Sequence, residues 1–161
     1  MTEVPAAPAP SNRLRKSAGA MALAVSLIGG FEGLRQTAYP DPATQGEPWT
    51  ICYGHTAHVS PGDKASLAQC KSLLLADLDK EAAGIDKCIH VPLTDPRYVA
   101  VLSLAHNIGV SGVCRSSIVK DLNKGDTAAA CEAFLLYDKA AGITMPGLTR
   151  RREAERNLCL E

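Results

Sequence analysis

The sequence is poor in aromatic residues and has no excess of charge of either sign. Only 4% of its 161 residues are Phe, Trp or Tyr, so the core must be built from Leu, Ala, Ile and Val. The 17 basic and 17 acidic residues cancel, and no basic stripe interleaved with aromatic residues runs along the chain. Nucleic acid is therefore not an expected partner. A chain of this length suits one domain with a sizeable core, and we expect a monomer.

The six cysteines include no C-x-x-C pair. Structural zinc sites bring their ligands in closely spaced pairs, so we expect no metal and no cofactor. Dispersed cysteines in even number are typical of disulfides in an oxidising compartment such as the periplasm. The alternative is six reduced, buried thiols in a cytosolic protein. Several pairings are possible; we favour Cys131–Cys159, because neighbouring helices are predicted to carry these residues, followed by Cys52–Cys70 and Cys88–Cys114.

No hydrophobic run is long enough for an ordinary membrane span. Residues 1–11 are rich in Pro and Ala, and residues 12–16 are basic, so we expect residues 1–16 to form a disordered tail and a basic flank. Residues 17–31 follow without a charge (SAGAMALAVSLIGGF). At about 1.5 Å per residue they reach only about 22 Å, short of the roughly 30 Å hydrocarbon core.

A basic flank before an uncharged run is nevertheless the layout of an export signal. The alternative is a buried amphipathic helix that never meets a membrane. Because of the basic flank and the cysteines, we favour export, with residues 17–31 as a weakly apolar membrane segment.

The remaining pattern predicts a small β lobe followed by a helical lobe. Turn residues dominate residues 37–61, where Trp49–Tyr53 is the best strand candidate. Apolar residues recur at three- and four-residue spacing from Ser66 to about Lys87, which predicts a long helix between the lobes. Further helices are predicted over residues 94–109, 116–125, 126–140 and 149–160. The predicted fold class is therefore α+β, mostly α.

Three polar residues near the first lobe have the chemistry of glycosidic bond cleavage. That reaction needs a carboxylic acid to protonate the leaving oxygen and a second group on the opposite face of the sugar. Glu32 lies in an apolar helical segment, where burial would favour the protonated acid. Asp41 lies in a Pro-flanked turn, and Thr50 opens the predicted strand with a hydroxyl that would help to hold a water. Most such carboxylates are simply solvated, so the spacing alone is a weak signal.

Five separated motifs resemble the bacteriophage lysozyme (endolysin) family. They are FEGLR at 31–35, YPD at 39–41, WTICYGHT at 49–56, NIGV at 107–110 and PGLTRRRE at 146–153. The resemblance covers residues 24–161 and implies a lysozyme-like fold in which a β-hairpin lobe and a helical lobe are joined by a long helix. It also implies a muramidase that cleaves peptidoglycan between N-acetylmuramic acid and N-acetylglucosamine and lyses the host cell.

The family's catalytic Glu, Asp and Thr fall on Glu32, Asp41 and Thr50. The resemblance implies inversion, with a water held by the Asp and the Thr. The loop between Asp41 and Thr50 is longer here than in the family, which makes Thr44 a rival. We retain Thr50 because Trp49 precedes it, as is usual in the family.

The resemblance also assigns supporting residues. It implies that Arg150 or Arg151 lines the cleft near Glu32, and that His55 pairs with an acid on the long helix, for which Asp77 has the best position. For His55 we expect a structural role. Two alternative functions stay open: a lytic transglycosylase acting on the same bond, and a non-catalytic module that binds the cell wall.

The N-terminal run further resembles the signal-anchor-release branch of the family. These endolysins are exported uncleaved, held in the inner membrane by a weakly apolar helix, and later freed to refold in the periplasm. Residues 27–35 then belong both to the anchor region and to the catalytic helix, so we expect the tethered enzyme to be inactive. Residues 17–31 contain no cysteine, so we expect release by extraction and refolding rather than by thiol exchange.

Overall fold

The helix that precedes the β lobe ends at Glu32. A computed structural model describes Leu14, residues 17–42 and residues 44–161. Helix α1 (Ala18–Glu32) begins after Ser17, whose hydroxyl accepts the Ala20 amide and so caps the first turn. Its buried residues, Ala20, Ala24 and Ile28, recur every four positions and form one stripe. The apolar run, residues 17–31, is thus buried along one face of the helix only.

The prediction for residues 1–16 falls outside the described residues except at Leu14, whereas residues 17–31 are described in full. Of the predicted tail and basic flank, residues 1–16, the structure describes Leu14 alone, whose side chain is buried in the core. Within the described part of the chain, no helix combines the length and the apolar character needed to cross a membrane.

The β lobe is built on an antiparallel hairpin. Strand β1 (Arg35–Pro40) pairs with β2 (Trp49–Cys52), so that Tyr39 lies opposite Thr50, and the register shifts between Arg35 and Tyr39. Strand β2 confirms the strand candidate, whereas β1 was not predicted, since four of its six residues lie in the turn-rich stretch. The Cys52–Cys70 disulfide ties β2 to the next helix.

The long helix between the lobes is α2 (Leu67–Ile85). The Ser66 hydroxyl accepts the Gln69 amide, and the Gln69 side chain accepts the Ser66 amide, which together form a capping box. The stripe that predicted this helix is buried: Cys70, Leu74, Leu78, Ala82 and Ile85. The prediction is therefore confirmed to within two residues at the C-terminal end.

The helical lobe surrounds helix α3 (Asp95–Ile108), which the Thr94 hydroxyl caps. Every residue from Tyr98 to Ala105 is buried, because α1, α2 and the last helix all pack against α3. The other elements of this lobe are α4 (Val110–Cys114), α5 (Ser117–Asn123), α6 (Thr127–Glu132), a 3-10 turn (Ala133–Tyr137) and α7 (Pro146–Leu160). The expected α+β, mostly α fold is confirmed.

Two predicted boundaries in this lobe were wrong. The helix expected over 126–140 ends as the 3-10 turn, and a short hairpin follows, β3 (Lys139–Ala140) with β4 (Ile143–Thr144). Ala141 and Gly142 take φ of 50° and 78°, the left-handed values of a tight hairpin turn. Helix α7 starts at Pro146, three residues earlier than predicted, because proline suits the first helical position.

Three disulfides staple the fold. They join Cys52 to Cys70, Cys88 to Cys114 and Cys131 to Cys159, which are the pairs favoured from the sequence. The last two lie within the helical lobe, and the first joins the hairpin to α2.

Candidate active site

The two residues brought together from opposite ends of the chain are Glu32 and Arg151. Glu32 is the last residue of α1, and Arg151 lies on α7. The Arg151 Nη1 atom lies 2.5 Å from Glu32 Oε1. The glutamate side chain is 22% exposed and the arginine side chain 5%, so a buried cation holds a carboxylate that still faces solvent. Of the two arginines named from the sequence, Arg151 is the one beside Glu32.

Arg151 is itself fixed by a buried polar cluster. Its Nη2 donates to the Ser103 carbonyl on α3 at 3.1 Å, and its Nε donates to Glu155 Oε1 at 3.2 Å. The guanidinium also lies over the Phe31 ring, 5.5 Å from the centroid. These contacts hold the guanidinium with Nη1 directed at Glu32.

Glu155 connects this arginine to a second one. It accepts a 2.5 Å hydrogen bond from the Ser103 hydroxyl, and Arg152 Nε lies 2.9 Å from its other oxygen. Arg152 and Glu155 are both fully buried. Burial raises the pKa of the Glu155 carboxyl, against the opposing charges of Arg152 and Arg151 and the bond from Ser103. Burial likewise lowers the pKa of Arg152, although a guanidinium stays charged at physiological pH.

Asp41 lies where β1 passes into the long loop. Its Oδ1 accepts the Thr44 amide at 3.2 Å, and its own amide donates to the Gly46 carbonyl at 3.1 Å. The Thr44 hydroxyl donates to the Glu47 carbonyl at 2.7 Å. Thr44 is exposed, and its hydroxyl is used to close this loop.

Thr50 is the second residue of β2 and is only 6% exposed. It lies opposite Tyr39, two residues before Asp41. The hairpin therefore brings Thr50 and Asp41 to the same end of the β lobe, the end at which the long loop leaves β1.

His55 follows β2 and joins the lobe to the long helix. Its Nδ1 lies 2.8 Å from Asp77 Oδ2 on α2, and its Nε2 lies 3.0 Å from the Ala57 carbonyl. The predicted pairing of His55 with Asp77 is confirmed. Because both neighbours are acceptors, the charged ring is favoured: the hydrogen bond to Asp77 raises the pKa of His55 above 6.5, although burial opposes it.

A cleft of about 550 Å³ opens between the lobes beside Glu32. The loop after β2 lines it through Gly54 and His55, and α2 lines it through Asp77 and Glu81. His106, near the end of α3, also lines it. A second cavity of about 490 Å³ lies behind Phe31 and is lined by Met145, Leu148 and both Arg150 and Arg151. Arg150 is exposed there.

The supporting cluster of Ser103, Arg152 and Glu155 was not among the residues predicted for the site. Glu155 follows Arg151 by four residues and Arg152 by three, a helical spacing that places the three side chains on one face and offered a usable signal. Ser103 carried no signal, because its role depends on the packing of α3 against α7. Within the described residues, no group of His, Cys, Asp and Glu side chains is arranged to hold a metal ion.

The arrangement suits proton transfer at the surface of the cleft. A carboxyl group on the cleft surface can give up a proton, and the buried guanidinium at 2.5 Å would stabilise the carboxylate that remains. A second carboxylate and a hydroxyl lie on the neighbouring hairpin.

Known proteins resemble both the sequence and this architecture. The family model for phage lysozyme matches residues 29–155. A SAR-endolysin of bacteriophage PS119 is 35% identical over 151 residues, 89% of this chain and 89% of its own length. The muramidase domain of SpmX from Asticaccaulis excentricus has a TM-score of 0.80 at 31% identity, covering 86% of this chain and 95% of its own. The active form of the P1 phage endolysin Lyz has a TM-score of 0.71 at 29% identity, covering 90% and 85%.

Proposed function

The chain belongs to the phage lysozyme family, which makes it a lysozyme-type glycoside hydrolase, and on that premise we propose that it hydrolyses peptidoglycan between N-acetylmuramic acid and N-acetylglucosamine. Residues 24–161 form the catalytic domain. The observation that carries the proposal is the Glu32–Arg151 contact, because a buried arginine orients a single, partly exposed carboxyl group in a cleft.

In this proposal Glu32 is the general acid. It protonates the glycosidic oxygen as the bond to the muramic acid carbon breaks. Arg151 orients the carboxyl before transfer and stabilises the carboxylate after it. Ser103 and Glu155 act through Arg151, since they occupy its remaining donors.

Asp41 and Thr50 hold the attacking water on the opposite face of the sugar, and the reaction inverts the anomeric carbon. The register that places Thr50 opposite Tyr39, two residues before Asp41, supports this pair. Thr44 is the weaker candidate, since its hydroxyl already donates to the Glu47 carbonyl. Thr50→Ala should therefore lower kcat by roughly 10²-fold, whereas Thr44→Ala should leave it within about threefold.

Product analysis on purified peptidoglycan tests the reaction itself. Hydrolysis leaves reducing muramic acid ends, and each cleavage consumes one water. Anhydro-muramic ends would instead identify a lytic transglycosylase, and binding without any new ends would identify a cell-wall-binding module. Either result would overturn the proposal.

We also propose that the protein is exported to the host periplasm, is tethered to the inner membrane by residues 17–31 until release, and then acts as a monomer that lyses the cell. The likeness to a SAR-endolysin supports this. In the fold, Ala20, Ala24 and Ile28 are buried in the protein core, so they cannot face lipid at the same time. Since α1 also ends at Glu32, the tethered protein has no assembled site. The substrate is peptidoglycan, and the membrane is a transient partner.

A further inference from the structure

The cleft beside Glu32 contains a second charged pair, formed by His106 and Glu81, that the proposed chemistry does not use. Glu81 lies on α2, and His106 lies near the end of α3. The His106 Nδ1 atom is 3.1 and 3.0 Å from the two carboxylate oxygens of Glu81. Both side chains line the same cavity as Glu32.

The contact with Glu81 fixes which ring nitrogen carries a proton. An ionised carboxylate only accepts hydrogen bonds, so Nδ1 of His106 must be the donor. The other nitrogen, Nε2, then accepts hydrogen bonds while the ring is neutral and donates only when the ring is charged. Protonation of the ring thus decides whether Nε2 presents a hydrogen-bond donor or an acceptor to the cleft.

Nε2 of His106 and the carboxylate of Glu32 both lie close to the same backbone residue, Gly54. A methyl group on the Gly54 Cα would lie 3.4 Å from Glu32 Oε2 and 4.0 Å from His106 Nε2. Gly54 has a φ of 85°, which glycine adopts without strain. A sugar atom that approaches Glu32 from this side therefore comes within reach of Nε2.

Charges from three elements set the protonation of His106. Burial lowers its pKa, but the hydrogen bond and charge of Glu81 on α2 raise it, and Glu32 on α1 raises it further. Arg151 on α7 opposes this effect, and Lys80 lines the same cleft. The net pKa is raised above 6.5, so the charged ring persists to a higher pH than that of a free histidine.

We propose that His106 is a substrate-binding residue, whose charged ring, held through Nδ1 by Glu81, donates an Nε2 hydrogen bond to an acetamido or hydroxyl oxygen of the glycan beside Glu32. Glu81 is a positioning residue that acts through His106. This inference rests on the proposed hydrolysis of peptidoglycan. Because the bond is made on binding, it should act on KM more than on kcat.

The test compares wild type, His106→Gln, His106→Leu and Glu81→Gln on purified peptidoglycan between about pH 5.5 and 8. The wild-type KM should rise as the pH passes the raised pKa of His106, because Nε2 then ceases to donate. In His106→Gln, whose amide donates at every pH, the KM should stay flat. In His106→Leu it should be raised roughly tenfold at low pH. Glu81→Gln should move the rise to lower pH, because the carboxylate that favours the charged ring is gone.

Two further measurements separate the possible failures. The His106 ring is titrated by NMR in wild type and in Glu81→Gln, and its pKa should fall in the variant. His90→Gln changes an exposed histidine outside this cleft and should follow wild type. If wild type releases no reducing ends, the proposed function fails. If wild type is active but shares its profile of KM against pH with His106→Gln, this inference alone is overturned.

Discussion

At the scale of single residues, the site depends on how charges are held at the border between core and cleft. In the proposed mechanism Arg151 orients Glu32, whose side chain is 22% exposed. Arg151 is itself held in place because Ser103 and Glu155 accept hydrogen bonds from its other donors. Glu155 also compensates the fully buried Arg152. The site is therefore supported by a buried ionic cluster in which the removal of one member leaves a buried charge uncompensated.

Glu155→Gln should lower the free energy of unfolding by roughly 3 kcal/mol, because two buried guanidiniums lose their shared carboxylate. It should also lower kcat, measured at a temperature well below that of unfolding, because Arg151 is no longer fixed against Glu32. Urea unfolding and peptidoglycan turnover measure the two effects. Glu153→Gln, an exposed change on the same helix, is the control and should be nearly neutral. Equal stability of the two variants would contradict this role for Glu155.

The His55–Asp77 pair should make stability depend on pH. The pKa of His55 is raised in the folded state above 6.5, so its contribution is present in full below pH 6.5 and is lost as the pH rises through the folded-state value. Asp77→Asn should cost about 1–2 kcal/mol in acidic buffer and less in alkaline buffer. Unfolding curves across this range measure the difference. Asp63→Asn, a change at an exposed carboxylate, should show no such trend, and a pH-independent cost for Asp77→Asn would count against the pairing.

At the scale of elements, the membrane proposal requires the sequence of α1 to suit two environments, the protein core and the bilayer. One face of it packs into the core through Ala20, Ala24 and Ile28, while Ala22 and Ser26 lie on the exposed face. The membrane proposal requires that residues 17–31, which include all of α1 except Glu32, also reside in a bilayer, where every face meets lipid. The exposed face of α1 is therefore the part of the helix that can be changed for one environment without disturbing the other.

Replacing both Ala22 and Ser26 with leucine should retain the protein in the membrane. Each leucine favours insertion by about 0.5 kcal/mol, and neither lies in the packed stripe. Lysis should be delayed, and the membrane fraction should hold more of the protein, whereas protein extracted and refolded should keep wild-type activity. The variant with glutamine at both positions is the matched control and should be released faster. Unchanged fractionation in both variants would contradict tethering by residues 17–31.

The elements predicted well from the sequence are those with strong local signals. Helices α2 and α3 begin after Ser66 and Thr94, whose hydroxyls cap them as their residue types favour. Strand β1 was missed because RQTAYP lacks alternation and ends in proline. The β3–β4 hairpin was missed because its turn places Ala141, rather than Asn or Asp, at positive φ. Local patterns could not have revealed either feature.

At the scale of the whole molecule, the two lobes are joined by α2, and disulfides fasten neighbouring elements to each other. Cys52–Cys70 fastens the hairpin to α2, and Cys131–Cys159 fastens α6 to α7, the helix that carries Arg151. The contact between Glu32 and Arg151 spans 119 positions of sequence. Spacing could not predict it; the family resemblance named two candidate arginines, and the packing of α7 on α3 selects one.

Replacing Cys131 and Cys159 with alanine should destabilise the protein by about 3–4 kcal/mol, because the bond closes a loop of 28 residues in the unfolded chain. Urea unfolding under oxidising conditions measures the loss. A reducing agent should bring wild type down to or below the double variant, because it opens all three bonds. Equal stability of the variant and the oxidised wild type would contradict this stapling role.

The central claim, acid catalysis by Glu32, is tested most directly by Glu32→Gln on purified peptidoglycan, with released reducing ends as the readout. The amide keeps the shape and a hydrogen bond to Arg151 but has no acidic proton. We predict a loss of about 10²–10⁴-fold in kcat, with an unchanged circular dichroism spectrum and with Glu153→Gln fully active. A folded Glu32→Gln variant that retains activity within about tenfold of wild type would contradict the account.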